Sequence, residues 1–472
     1  MTEKMALSQL KSAPLGLDCP FLLDVPGGQA LTCEQVLRHL PGKRVVFRSH
    51  WGGASVLVKL FFRKRDFERE RNGLAAMRKA DIPCPPEVWV LKDEVAETFL
   101  LATEFLEKAV SLQTSYESDP TDIFVGHLRS AVGLTGRLHK SGYMQSDIHL
   151  DNFLLQDGVL YMVDGGGVEP LQKPLDNLGL FFAQMTPDYD CLTAEVIDVY
   201  GANPPEASSL RPVIARRRER RIQHYLSKTV RNCTQFLVPK IKGAFLVVLR
   251  ATASDRLLRL MEQPEAAMGQ AEFLKRGNTA TVVKVPGDNP AGWILKRYNI
   301  KDFWHGLSRC LRPSRAWISW KSAHRLELLG IATPLPLAMR ENRFGPLRKE
   351  AYLLTECIEG ENLQAWLLRQ GANQIPDWLD REVSGLFEKL LMGRVSHGDM
   401  KATNLIVSGE KLYVIDLDGL QRHRGQRQFR KYYRKDLQRF MDNWQGNTWQ
   451  HFEQILQPFA AQVGITLVNK KV

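Results

Sequence analysis

Apolar and polar positions along this chain fall into one ordered set of patterns that occurs twice. In the first set, Arg44 to Phe62 reads as two strands joined at Trp51-Gly52-Gly53, and the second strand is a β-branched, apolar run broken by Lys59. Helical text follows, with Phe67, Leu74 and Met77 on one face and Glu68 and Glu70 between them, and Pro83, Pro85 and Pro86 end it. Thr98 to Phe105 reads as a central strand running through Glu104, and Leu128 to Leu138 as a helix. The second set opens near Phe273. Arg276 to Val283 reads strand, turn, strand, with Gly277, Asn278 and Thr279 at the turn. Trp293 to Tyr298 is a second strand broken by a lysine, Lys296. A helix runs through Leu326 to Gly330 and Pro334, and Tyr352 to Gly360 is a central strand and connector containing Glu356. A buried strand carries a lysine only where something anionic meets it.

Between these sets the text is less regular. The stretch to about residue 40, with Pro14, Gly16, Pro20, Pro26, Gly27 and Gly28, is predicted to be irregular. The remainder of the first half to about residue 245 reads as helical, and residues 248–268 have no strong pattern and read as a linker. The prediction is an α+β chain with an irregular segment over 1–39, one domain over 40–247, the linker, and a second domain over 269–472, each domain with a small β-rich lobe and a helical lobe.

A short text follows each set. Gln145-Ser146-Asp147-Ile148-His149-Leu150-Asp151-Asn152 leads to Val163-Asp164-Gly165, and His397-Gly398-Asp399-Met400-Lys401-Ala402-Thr403-Asn404 leads to Ile415-Asp416-Leu417. The first Asp and the Asn are five apart in both (147 to 152, 399 to 404), and the Asn and second Asp twelve apart (152 to 164, 404 to 416). All three positions recur at an offset of 252 (399 − 147). Asp, then Asn, then Asp at a strand end is the arrangement by which a kinase-like site holds metal and nucleotide and orients a hydroxyl. A single Asp or Asn is more often a turn or cap residue. The full triad at matched spacing, found twice, argues for a tandem duplication of a kinase-fold unit.

The ordered set resembles the bacterial lipopolysaccharide core kinases that act on Kdo and heptose, relatives of the aminoglycoside phosphotransferases. The resemblance is carried by His397 to Asn404, by Gly277-Asn278-Thr279 with Lys296-Arg297-Tyr298, and by Leu138-His139 with Asp147 to Leu155, and covers roughly residues 40–245 and 270–440. It implies ATP- and magnesium-dependent phosphorylation of a sugar hydroxyl. Asp147 and Asp399 would orient the attacking hydroxyl. Asn152 with Asp164, and Asn404 with Asp416, would hold magnesium, since carboxylate and amide oxygens suit a hard ion. Lys59 and Lys296 would reach the nucleotide phosphates, with Glu70 pairing to Lys59. The turns at Gly52-Gly53 and Gly277-Asn278-Thr279 would lie over the phosphates, His149 and Lys401 would meet the γ-phosphate, and Glu104 and Glu356 would contact the nucleotide. His139 reads as a packing or cap residue.

The pattern has departures. Gln145-Ser146 stands where the family usually has a His before the Asp, and Asp164 is followed by three glycines. Residues 303–326 contain no Asp or Glu, carrying Arg309, Arg312, Arg315, Lys321 and Arg325 instead, so Lys296 has no evident partner on that helix. One copy is therefore expected to be weak or a nucleotide-binding pseudokinase.

Composition adds the setting. Hydrophobic content of 44% and charged content of 25% are those of an ordinary soluble protein. Neither a transmembrane run nor a signal peptide is read. The seven cysteines are scattered without paired metal-ligand spacing, fitting a reducing cytosol. A net charge of +12 favours anionic partners. Two basic segments stand out: Arg216 to Arg221, and a helical face formed by Arg427, Arg430, Lys431, Arg434 and Lys435, with Phe429, Tyr433, Leu437 and Phe440 on another. Each could be a solvated face, or could meet acidic lipid or a phosphorylated glycolipid at the inner face of the cytoplasmic membrane. Nucleic acid is less favoured, since no binding motif accompanies the charge. The rival readings are a protein kinase, for which Lys401 is the usual residue two after the Asp, and a non-catalytic scaffold for envelope enzymes.

Overall fold

The computed structural model describes residues 3–12, 17, 19–25, 29–93, 97–299, 313–345, 347–371 and 375–469. It forms two compact units, Met1–Met185 with Tyr189–Arg217, and Thr186–Asp188 with Arg218–Val472.

In the first unit a five-stranded antiparallel sheet runs in the order Gln35–Leu40, Arg44–Trp51, Ala54–Phe61, Thr98–Glu104, Glu87–Asp93. Period-two alternation decides what each face of the Lys59 strand does. Val56, Val58 and Leu60 are buried in one core with Phe47 and Leu100, and Lys59 is on the opposite face. The strand joins its neighbour through a two-residue turn in which Gly52 and Gly53 have φ of 58° and 84°, the left-handed pair that such a hairpin needs. Helix Lys64–Lys79 buries Phe67, Leu74 and Met77, and these pack in a second core with Phe99, Leu128 and Phe153. The helix presses closely on the turn after Asp164. A Cβ on Gly73 would lie 1.9 Å from the Gly165 carbonyl oxygen. Gly73→Ala is therefore expected to destabilise the unit by roughly 1–3 kcal/mol. Gly126→Ala, on an exposed helix position with nothing within 4 Å, should instead raise the thermal midpoint slightly.

The second unit repeats this strand order: Glu272–Arg276, Ala280–Val285, Trp293–Tyr298, Leu347–Glu356, Pro336–Phe344. Lys59 pairs across to Val46 and Leu101, and Lys296 to Val282 and Leu353, so both lysines occupy the same place in their sheets. Helices Arg315–Leu328, Leu363–Gln370, Asp377–Gly393, Gln426–Met441 and Gly446–Val463 build the second unit's largest core around Phe387, Tyr433, Phe440 and Phe452.

Three expectations change. Residues 1–39 are not wholly irregular: Glu3–Met5, Phe21–Val25 and Gln29–Cys33 form a small sheet, and Gln35–Leu40 is the edge of the larger one. Alternating Phe21, Leu23 and Val25 are buried; Pro14, Gly16, Pro26, Gly27 and Gly28, which suggested irregularity, lie outside the described residues. The first unit ends near Arg217, not 247. Ala244–Leu249 pairs with Pro336–Phe344, because its apolar run Phe245 to Leu249 completes the second unit's sheet. Residues 248–268 are not a free linker: helices Asp255–Glu262 and Pro264–Gly269 bury Leu257, Met261 and Met268 against Val283, Leu295 and Leu354.

Candidate active site

In each unit the Asp/Asn text forms a loop, a three-residue helical turn and a hairpin. The first has Leu150–Asn152, Phe153–Gln156 and Val159–Met162, and the second Ala402–Asn404, Leu405–Ser408 and Lys411–Val414. The same hydrogen bonds shape both. Asn152 Nδ2 donates to the Asp147 carbonyl and Asn404 Nδ2 to the Asp399 carbonyl, both at 2.9 Å. The hairpin then brings Val163 N to Asn152 O at 2.8 Å and Ile415 N to Asn404 O at 2.9 Å. With the amide nitrogens engaged, the amide oxygens remain as acceptors. Asp164 and Asp416 follow at φ of 65° and 64°, left-handed conformations that a non-glycine residue holds only where its surroundings impose them.

The charged groups meet differently in the two units. In the first, Lys59 Nζ is 2.5 Å from Glu70 Oε1 and 3.7 Å from Asp164 Oδ1. Glu70 is 1% exposed and also accepts the N–H groups of Gly165 and Gly166 at 3.1 and 3.0 Å. It thus ties the lysine strand, its own helix and the loop after Asp164 together. Burial would raise the Asp164 carboxyl, but Lys59 and Arg44 hold it below its ordinary value. Glu70→Ala would leave Lys59 buried without its nearest partner. The expected cost is about 3 kcal/mol, read as lost hydrogen-exchange protection over residues 54–79. Asp147 is largely exposed and lies 2.8 Å from His149 Nε2.

In the second unit Lys296 contacts Asp416 directly. Its lack of a partner on the helix is therefore met from the loop. Burial would lower the Lys296 ammonium, but Tyr298 and Asp416 raise it; Asp416 is in turn held below its ordinary value against burial, chiefly by Lys296. Asp399 lies 2.8 Å from Lys401 Nζ and 3.2 Å from Arg439 Nε, and these cations keep its carboxyl depressed although burial opposes them. A cleft of about 540 Å³ has Val282, Lys296, Glu356, Lys401, Asn404 and Asp416 in its lining. That volume suits a nucleotide-sized ligand.

The donor set fits magnesium in a nucleotide complex. Asp164 Oδ1 is buried without a hydrogen-bond partner, and one carboxylate, one amide oxygen and substrate phosphates are the ligands that magnesium takes in such sites. Among the described residues no group of three or more His, Cys, Asp or Glu could hold a metal by itself, so the phosphates would have to complete the shell.

Other assigned residues stand elsewhere. Thr279 lines the cleft, but Gly277 N–H closes its own turn onto Ala280 O at 3.1 Å and is not available to a phosphate. Glu356 lines the cleft with its carboxylate accepting Leu335 N–H at 2.9 Å, while Glu104 is exposed at its strand end. His139 is buried between Tyr200 and Asn177, and Asn177 Nδ2 holds Gln145 O at 2.8 Å, which supports the loop from behind.

Three residues were not singled out from sequence. Asp436, on helix Gln426–Met441, is 1% exposed and accepts the His397 and Gly398 N–H groups at 2.6 and 2.9 Å, fixing the backbone just before Asp399. Burial pushes its carboxyl up to about 7, against the two amide donors. One acid on the apolar face of a basic helix was the available signal. Arg439, on that helix, reaches Asp399, and Asp418 pairs with Arg315. The departure at Gln145 is structurally small: its Nε2 donates to Asp164 O at 2.7 Å, much as His397 Nε2 lies 3.0 Å from Ile415 O.

Comparison with known proteins agrees with this geometry. Residues 263–456 match the model of the Lipopolysaccharide kinase (Kdo/WaaP) family. This segment resembles that family. The match supports a kinase-like fold for this segment. A curated relative, the probable serine/threonine-protein kinase BUD32 homolog of Archaeoglobus fulgidus, is 26% identical over 148 residues, which is 31% of this chain. The match spans 60% of that relative's length. A solved structure described as WaaP in complex with acyl carrier protein is 17% identical, with a TM-score of 0.28, covering 41% of this chain and 83% of that one.

Proposed function

We propose that the second unit transfers the γ-phosphoryl group of ATP, with magnesium, to a sugar hydroxyl of the lipopolysaccharide inner core, on heptose or Kdo. The observation that carries the reading is Asp399, held by Lys401 and Arg439 beside Asn404, in a segment that matches the lipopolysaccharide kinase family model. Bound magnesium and nucleotide would supply the phosphoryl group and neutralise its charge. Asp399 orients the acceptor hydroxyl and takes its proton as the oxygen bonds to phosphorus and ADP leaves. Asn404 and Asp416 would offer oxygens to the metal, Lys296 would turn from Asp416 to the phosphates, and Lys401 would meet the γ-phosphate. The first unit is read as a second copy of the fold, a tandem duplication that binds nucleotide through Lys59, Glu70, Asn152 and Asp164.

Among the described residues no helix is long and apolar enough to cross a membrane. A peripheral contact at the inner face of the cytoplasmic membrane is supported by Arg427, Arg430, Lys431 and Lys435, which are exposed on one helix. Arg434 contributes less, because its guanidinium donates to Val463 O at 2.7 Å. In the other basic segment, Arg216 and Arg217 are paired with Asp176 and Arg218 is buried.

A protein kinase is the second reading, favoured by the likeness to the BUD32 homolog. Purified protein with magnesium, ATP and dephosphorylated core oligosaccharide separates the two. Phosphate on the sugar supports the first reading, and phosphate on Ser, Thr or Tyr alone supports the second.

A further inference from the structure

The second unit lacks the helix carboxylate that orders the first, yet its helix is tied to the same loop. Each helix ends alike: Ile82 N donates to Met77 O, and Ile331 N to Leu326 O. Counting seven residues back from Met77 and Leu326 sets Glu70 opposite Ser319. Ser319 Oγ bonds the Tyr298 hydroxyl at 2.8 Å. On the loop side the offset of 252 sets Gly166 opposite Asp418. In the first unit the helix supplies a carboxylate, Glu70, to the Gly166 amide. In the second the loop supplies a carboxylate, Asp418, to a helix guanidinium, Arg315.

Arg315 does more than pair. It is the first residue of helix Arg315–Leu328, whose Ser314 cap accepts Trp317 N–H at 3.1 Å. Its Nη1 donates to Thr279 O at 3.0 Å, at the turn over the cleft, and its guanidinium lies 5.1 Å from the centre of the Tyr298 ring. Asp418 is 13% exposed and two residues after Asp416. A planar fork of five donors can hold a carboxylate and a carbonyl at once, which an ammonium does less well.

We propose that Arg315 and Asp418 are positioning residues for the second unit's nucleotide site, joining helix to loop as Glu70 and the Gly166 amide do in the first unit, with the carboxylate on the loop instead of the helix. The inference rests on the reading of this unit as a nucleotide-using transferase. By this tie the turn at Thr279, the helix and the loop carrying Asp416 keep one geometry, while Lys296 remains free to exchange Asp416 for phosphate. A second unit that lacks the helix carboxylate is thus not thereby inactive.

The test uses the full chain and two readouts, the thermal shift produced by Mg·ADP and the KM for ATP against kcat. Arg315→Ala and Asp418→Ala should each raise KM for ATP by roughly 10- to 100-fold and reduce the Mg·ADP shift, since each removes one partner of a largely buried ion pair. Kcat should fall less. The reversed pair, Arg315→Asp with Asp418→Arg, should recover much of the loss, the mark of a direct interaction. Arg315→Lys, which keeps the charge, should fall between wild type and Arg315→Ala, and carries the test if the alanine variants unfold. Single variants that bind Mg·ADP like wild type, or a reversed pair no better than the worse single, would overturn the proposal. If the reversed pair restores the Mg·ADP shift while wild type phosphorylates no core acceptor, the transfer reading alone fails.

Discussion

Asp399→Ala should reduce phosphate transfer to the core sugar by at least 1,000-fold, as a rough scale for losing the group that orients the nucleophile together with its proton acceptance. KM for ATP should change little, because Asp399 faces the acceptor rather than the nucleotide. Asp147→Ala should leave transfer within a few-fold of wild type. The contrast follows from their settings. Asp399 is fixed by Lys401, Arg439 and the Asn404 amide, whereas Asp147 is 77% exposed with His149 beside it. Asp399→Asn separates orientation from proton acceptance: it keeps an oxygen for the hydroxyl and loses basicity, so it should lower kcat with KM for the sugar little changed. Rates of the three variants under saturating ATP and acceptor check this.

The second large effect lies away from the reacting atoms. Asp436→Asn keeps one acceptor oxygen for two amide donors, leaving a buried N–H of His397 or Gly398 unsatisfied at roughly 1–3 kcal/mol. The thermal midpoint should drop by roughly 2–12 °C for a unit of this size, and kcat should fall because the backbone before Asp399 loosens. The pH dependence has a definite sign. The folded carboxyl is raised from 3.8 to about 7, so between those values the folded state holds a proton that the unfolded chain has released. This contribution is therefore fully present at low pH and is lost as pH rises through 7. Asp436→Asn should flatten that part of the stability curve. Unfolding midpoints at pH 5, 6, 7 and 8 for both proteins measure it; parallel curves would remove the assigned cause.

Much of the site was legible because its chemistry is local. Asp, Asn and Asp sit within 18 residues in each copy (147 to 164, 399 to 416), and a lysine inside an apolar strand is visible as a broken run. The Lys59–Glu70 pair was implied by the family resemblance, and the two side chains meet at 2.5 Å. What escaped depends on long-range packing. Asp436 is 37 residues beyond Asp399, and its text is that of a basic amphipathic helix (436 − 399). Lys296 looked unpartnered because a carboxylate was sought on the helix, while Asp416 supplies it from 120 residues away. The domain boundary was misplaced because Ala244–Leu249 is a strand whose partner, Pro336–Phe344, lies almost a hundred residues on. Local pattern shows that a segment will form a strand and does not show which sheet it completes.

The central claim is that the second unit phosphorylates an inner-core sugar. The most direct measurement is mass spectrometry of dephosphorylated core oligosaccharide incubated with magnesium, ATP and the full chain as wild type, Asp147→Ala, Asp399→Ala or the double variant. One added phosphate with wild type and Asp147→Ala, and none with Asp399→Ala or the double variant, is the expected result. An unmodified oligosaccharide with every protein, or transfer that survives Asp399→Ala, would contradict it.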